Sequence, residues 1–331
     1  FSFNKKTTLL EHLKSNSFDE SDIIKSTLVK IDSNNNLRDY FYKRLVFPIM
    51  DEKFNVIGFG GRSLNNSNPK YINSPESDYF QKRSLLYNLA NAKKAARKKN
   101  NLLICEGYMD VISLYQKGIQ SVVSPLGTAL TVDQLNLAWK FSNKPTIMFD
   151  GDKAGLRAAY KTSLMSLPLI TSNKFLQFII LPPDYDPDGY INTHSFNNFI
   201  KILKKPISFV NFIFTQINNT FSTRSADDKI IFDKYIDEII EMIKDRKIKY
   251  FYKSEFKSLF YEKIKFKNKK FISKKGSYKL TNTSLLQKQL YSFIATYINH
   301  PLIRSKIAEE LNKSQLLEES LSNLLRILNK P

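Results

Sequence analysis

Residues 101–183 read NLLICEGYMDVISLYQKGIQSVVSPLGTALTVDQLNLAWKFSNKPTIMFDGDKAGLRAAYKTSLMSLPLITSNKFLQFIILPP. Four short apolar runs recur in this stretch: NLLICEG, QSVVSPLG, PTIMFDGD and FLQFIILPP. Each is too short for a helix and apolar at successive positions, which is the pattern of a strand covered on both faces. The segments between them, about 109 to 117, 131 to 142 and 153 to 167, carry apolar residues at helical spacing. Thr131 followed by Gln134 reads as a capping box. Strand, helix, strand in regular succession predicts βαβ units and a parallel sheet.

Working outward, residues 1–100 begin with a short helical segment. KRLVFPIMD and KFNVIGFGGRS follow, two extended runs around a charged turn that predict a hairpin. After Pro187 the pattern turns to amphipathic helices, SFNNFIKIL, DKYIDEIIEMIKD and SEFKSLFYEKIKF, a helical bundle to about 275. The stretch KKGSYKLTNTS reads as a joint before a last helical pair at 284–331. The expected class is α/β, a parallel sheet flanked by a mixed α+β basic N-terminal subdomain and a C-terminal helical bundle. The expected divisions are 1–100, 101–190, 191–275 and 284–331.

Composition narrows the function. One cysteine, Cys105, can form neither an internal disulfide nor a four-ligand zinc site. No window of 18 apolar residues and no secretory leader is present, so a soluble, cytosolic protein with no membrane partner is expected. The chain opens on Phe1 rather than Met, and a fragment is expected. Among 331 residues, 51 are basic and 31 acidic, a net charge of +20 that suits a polyanionic partner. Residues 81–100 hold seven basic and no acidic side chains, and residues 241–280 fourteen against four. Lys93 to Lys99 read as a solvated helix face, and the aromatics Phe251, Phe256, Phe260 and Phe266 as bundle packing.

Open α/β sheets bind ligands at the carboxyl ends of their strands. The first strand here runs into Glu106, with Asp110 one helical turn beyond; the third ends in Asp150 and Asp152, and the fourth in Asp186 and Asp188. Taken singly, Asp110 and Asp152 could serve helix N-termini, and Asp186-Pro187-Asp188 is ordinary turn chemistry. Three such clusters on one rim repel one another unless cations lie among them. Hard oxygen donors without matching His or Cys point to Mg2+ or Mn2+, two ions being expected, and to phosphoryl or nucleotidyl transfer. Glu106, apart from the aspartate pairs, is the candidate acid/base. Glu106, Asp150 and Asp152 are the expected catalytic residues.

This arrangement resembles the Toprim fold shared by primases, topoisomerases and some nucleases. VIGFGGR at 56–62, PKYINSPES at 69–77, F-x-K at 80–82 and LYNLA at 86–90 precede CEGYMDV, SPLGTALT and FDGDKAG. In that order they resemble the RNA polymerase core of bacterial replicative DNA primases. The resemblance implies short RNA primers made on a single-stranded DNA template from ribonucleoside triphosphates. It also implies nucleotide and template contacts at Arg62, Lys70, Tyr71, Asn73 and Lys82. Glycines 58, 60 and 61 would let the backbone approach a ligand closely, and Arg62 would clamp phosphate oxygens. A zinc ribbon is expected only in a longer gene product, as is docking of the replicative helicase, and a monomer is expected. Asn88 stands where glycine is common. The alternatives are a Toprim nuclease or topoisomerase, and a non-catalytic DNA-binding module.

Overall fold

The computed structural model describes residues 7–65, 68–127 and 129–272. The expected pair at 284–331 and the joint before it lie outside these residues. Helices α1 (Thr8–Ser15) and α2 (Glu20–Lys25) precede a two-stranded ribbon, β1 (Val29–Ile31) and β2 (Leu37–Asp39). Buried Asp39 accepts hydrogen bonds from the amides of Leu9 and Leu10, at 2.8 and 3.0 Å, and so serves the open first turn of α1.

The expected hairpin is present as β3 (Arg44–Met50) and β4 (Val56–Ser63), antiparallel, with a register shift at Ile49/Met50. Asp51 closes the turn by accepting from the amides of Lys53 and Asn55. Strand β5 (Tyr71–Asn73) completes a three-stranded sheet, setting Arg62 opposite Tyr71 and Gly60 opposite Asn73. The space over the glycines is taken by the protein's own rings. A Cβ on Gly58 would lie 2.6 Å from Phe80, and one on Gly61 2.6 Å from Phe41, so these two make room for packing and not for a ligand.

Helix α3 (Leu89–Lys99) buries Ala92 and Ala96. Its N-cap, Asn88, takes the left-handed conformation in which glycine is common, with φ of 67°, and its amide donates to Val122 O at 2.9 Å. The basic face of α3 is exposed in part. Lys93 instead donates to Glu52 O and lies over the Phe54 ring, and Arg97 lies 4.8 Å from the Phe141 ring centre.

The parallel sheet then follows as predicted: β6 (Leu103–Ile104), α4 (Tyr108–Gln116), β7 (Val122–Val123), α5 (Val132–Trp139), β8 (Thr146–Ile147), α6 (Lys153–Ser166) and β9 (Gln177–Phe178). Helices α7 (Pro187–Thr193) and α8 (Phe196–Leu203) lead to β10 (Ile207–Ser208), an antiparallel edge strand that the sequence pattern does not announce. Strand order is β10-β9-β8-β6-β7, so the connections diverge on either side of β6. Alternation along the strands separates two cores. Leu103, Cys105, Met148 and Ile179 join Val111, Leu114 and Phe199 on the α4, α7 and α8 face. Ile104, Ile147, Phe149 and Phe178 join the opposite face with α5 and α9 (Phe209–Thr220), α10 (Ala226–Glu241) and α11 (Arg246–Ile272). Phe178 stacks on Phe212 at 3.9 Å. Up to Lys265 the chain is one compact unit, and no helix among the described residues is long and apolar enough to cross a membrane.

Candidate catalytic rim

The carboxyl ends of β6 and β8 adjoin where the connections diverge, which is where an open α/β sheet leaves a crevice. Beyond β6 the chain runs through buried Cys105 to Glu106, and Gly107 opens α4. Asp110, in the first turn of that helix, accepts the Gly107 amide through Oδ2 at 3.1 Å. Beyond β8, Asp152 caps α6 by accepting the Gly155 amide at 2.7 Å, and beyond β9 Asp186 caps α7 by accepting the Gly189 amide at 2.5 Å. Asp188 accepts from the Asn192 side chain at 3.0 Å. The capping roles that each motif suggests singly are therefore real, and they fix the carboxylates in place.

They also bring the acids together. Burial raises the Asp110 carboxyl to about 7, helped by the charges of Asp150 and Asp186 and opposed by the amides of Gly107 and Asp188. Burial likewise raises Asp150 to about 7, with Glu106, Asp186 and Asp152 all contributing repulsion. Glu106 is pushed up by burial and by Asp152, and held down by the Asp150 amide that donates to it. Glu106, Asp110, Asp150, Asp152 and Asp186 thus act on one another across three loops, and Asp188 reaches Asp110 through its backbone amide.

Glycine makes this approach feasible. The Gly151 amide donates to Tyr185 O at 2.8 Å, and a Cβ on Gly151 would fall 2.1 Å from Pro182 O. The Asp150-Asp152 loop and the Asp186-Asp188 loop therefore touch backbone to backbone. On the other side, a Cβ on Gly155 would fall 2.3 Å from Asp150 O.

Among the described residues, no three His, Cys, Asp or Glu side chains stand close enough to hold one ion in common. Asp110, Asp152 and Asp186 each give an oxygen to a backbone amide. The donor set nonetheless fits a hard divalent cation. It is all carboxylate, its two innermost members strongly favour neutralisation, and Asp150 Oδ1 is buried with no hydrogen-bond partner. A divalent cation held by these residues would supply the partner that this oxygen lacks.

A basic wall meets this rim. Arg62 and Lys70 each stand 5.8 Å from the centre of the Tyr71 ring. The Tyr71 hydroxyl is held above its ordinary value first by burial, with Arg62 opposing and Asp110, Asp186 and Asp188 adding to the shift. Tyr71 is thus the residue at which wall and rim join. Asn73 donates through Nδ2 to Leu126 O at 3.0 Å, while its Oδ1 is buried without a partner. Lys82 lies on a 3-10 turn, Lys82–Ser84, whose first carbonyl accepts from Gln134.

One residue escaped the sequence reading. Tyr108, between Glu106 and Asp110, packs against Phe47, Tyr71 and Tyr87 with ring centres 5.2 to 5.6 Å apart, so it joins the hairpin sheet to the rim. Its hydroxyl is buried, unpartnered and 3.3 Å from where a Gly60 Cβ would stand. The signal was its place between two candidate acids; as an aromatic at the start of a helix it reads as core.

Two family models match the chain: the N-terminal domain of the DNA primase catalytic core over residues 1–93, and the Toprim domain over residues 100–170. A DNA primase of Buchnera aphidicola subsp. Acyrthosiphon pisum is 40% identical over 210 residues, 63% of this chain and 36% of that protein. A DNA primase of Rickettsia prowazekii is 33% identical over 274 residues, 82% of this chain and 46% of that protein. The chain therefore spans less than half the length of either relative. Among solved structures, a DnaG primase catalytic domain bound to single-stranded DNA superposes with a TM-score of 0.70 at 30% identity, covering 78% of this chain and 83% of that one. A DNA primase domain from Pseudomonas aeruginosa gives 0.73 at 28% identity, covering 78% and 82%. Fold and both family models agree, and the chain belongs to the family of DNA primase catalytic cores.

Proposed function

We propose that the chain synthesises short RNA primers on a single-stranded DNA template by metal-dependent nucleotidyl transfer. The observation that carries this reading is the meeting of six carboxylates with Arg62, Lys70 and Tyr71 at the divergence of an open α/β sheet. Residues 1–100 act as the basic subdomain, 101–190 as the metal-binding domain and 191–275 as a supporting helical bundle. Glu106, Asp110, Asp150, Asp152, Asp186 and Asp188 would hold Mg2+ or Mn2+, two ions in our reading. When bound, such ions lower the charge repulsion around a triphosphate and stabilise the oxygens of an in-line displacement.

The chain's own residues do the rest. Arg62 offers a planar fork to phosphate oxygens and Lys70 a point charge, placing the incoming ribonucleoside triphosphate against the rim. Tyr71 and Asn73 position template and nucleotide. Lys82 supplies a further point charge to the triphosphate or template. Glu106 accepts the proton of the 3'-hydroxyl as its oxygen attacks the α-phosphate of the next nucleotide and pyrophosphate leaves. The partners are the template, ribonucleoside triphosphates and the growing primer, with helicase docking assigned to the longer protein. The setting is cytoplasmic and the working unit a monomer.

The test is a primer assay with single-stranded DNA, ribonucleotides and Mg2+ or Mn2+. Asp150→Asn with Asp152→Asn should abolish synthesis and leave DNA affinity unchanged or higher. Synthesis that survives the double change places the chemistry elsewhere, and shortened template without new RNA makes the chain a nuclease.

A further inference from the structure

Helix α11 faces two ways. Ile248, Phe256 and Phe260 enter the core, as the sequence predicts for Phe256 and Phe260. Phe251, expected among them, lies instead on the outside, 58% exposed, beside Tyr250 at 71%, with Tyr261 at 56%. At helical spacing these rings share a stripe with Lys247, Ser254, Ser258 and Lys265, every one exposed. The stripe runs over 19 residues, about 27 Å from end to end.

Three acids of the adjoining α10 are already engaged: Asp233 and Asp237 by Lys257 at 2.8 and 2.9 Å, and Glu241 by Lys249 at 2.7 Å, while Glu238 is exposed. Lys247 and Lys265 have no acidic partner among the described residues, and the exposed acids of α11 nearest the stripe, Glu255 and Glu262, both lie along one edge of it. A stripe of solvent-facing aromatic rings between unpaired lysines has the chemistry of a stacking platform with a backbone-neutralising flank. An acidic peptide would use the lysines and leave three large rings in water. A single nucleic-acid strand uses both.

We propose that the outer face of α11 is a second binding surface for single-stranded nucleic acid, separate from the acidic rim. Tyr250, Phe251 and Tyr261 stack bases, and Lys247 and Lys265 neutralise phosphates. The strand that leaves the rim, template DNA or new RNA, is the ligand class.

The proposal is tested on the full chain with labelled oligo(dT) and oligo(rU), by fluorescence anisotropy and by photocross-linking of halogenated bases followed by peptide mapping. Cross-links should fall on the peptides bearing Tyr250, Phe251 and Tyr261. Replacing all three by Ala should weaken binding on the order of tenfold. Lys247→Gln with Lys265→Gln should lower the slope of log K against log salt by about 1.4. An oligomer of the same length lacking bases should bind the parent about as weakly as intact DNA binds the triple variant. The DNA and RNA arms show which strand is preferred. Unchanged affinity in the triple variant, absence of these cross-links, or equal binding of the baseless oligomer overturns the proposal. So does a marked fall in melting temperature of the triple variant, which shows that the chain itself covers the face, or a parent dimer that the triple variant abolishes. Cross-links to α11 that persist in Asp150→Asn with Asp152→Asn keep this surface independent of the catalytic assignment.

Discussion

Replacing Gly151 by alanine tests the architecture of the rim directly. The new methyl carbon would sit 2.1 Å from Pro182 O and 2.9 Å from Leu181 O, whereas Cβ atoms essentially never approach another atom within 3.0 Å. Both obstacles are backbone, so no side chain can swing aside. The loop after β9 must retreat by about 1 Å, taking Asp186 and Asp188 away from Asp150 and straining the Gly151 amide bond to Tyr185 O. Overpacking of this kind costs roughly 1–3 kcal/mol, and loss of the hydrogen bond about 1 kcal/mol more. For a unit of this size that is a melting temperature lower by on the order of 5–10 °C. Differential scanning fluorimetry and urea titration measure it, and the same samples titrated with Mn2+ show whether ion affinity falls alongside. Gly118→Ala is the control: nothing lies within 4 Å of its Cβ, and its cost is backbone strain at φ of +90° with no effect on ion binding. A Gly151→Ala protein that melts with the parent and binds Mn2+ equally well would show that the two acidic loops do not abut, and the site would have to be rebuilt.

Three further outcomes are expected. The metal-free protein should be more stable at pH 5.5 than at pH 8.5: Asp110 and Asp150 both titrate near 7 in the fold, above their ordinary value of 3.8, so their contribution is full below about 4 and is lost as pH rises through 7; a flat profile in thermal melts refutes this. Millimolar Mg2+ or Mn2+ at pH 8 should raise the melting temperature, by an amount equal to about 2.7 kcal/mol at 100 times the dissociation constant, and Asp150→Asn with Asp152→Asn should remove the shift; a shift that persists locates the ion elsewhere. Phe256→Ala, at a fully buried ring, should cost roughly 3–5 kcal/mol in urea denaturation, whereas Phe251→Ala should stay within about 0.5 kcal/mol; equal costs would contradict the two-faced helix.

Much of this was legible in the sequence for identifiable reasons. Strands β6 to β9 could be read because burial on both faces demands unbroken apolar runs, and the capping box was read from Thr131 and Gln134, which exchange the expected bonds at 3.0 and 3.2 Å. The six acids could be found because strand ends are where such sheets bind ligands. What failed was what depends on partners distant in the chain. Ile207 and Ser208 form a strand only because Phe178 and Gln177 present an open edge, and two residues have no period of their own. Gly58 and Gly61 look the same whether a ligand or a phenylalanine fills the space above them. Phe251 and Phe256 stand five residues apart, about 140° around the helix, so when one packs against α9 and α10 the other faces out; reading the aromatics as one group hid that difference.

The buried amide of Gln134 donates to the carbonyls of Lys82 and Leu85, both at 2.8 Å, and Asn73 reaches Leu126 in the same way. These ties between the N-terminal segment and the parallel-sheet layer are uncharged and partly buried. Salt strong enough to screen the lysines and arginines of the proposed nucleic-acid contacts therefore leaves the protein's internal joinery intact, so release of a bound strand would be reversible without refolding.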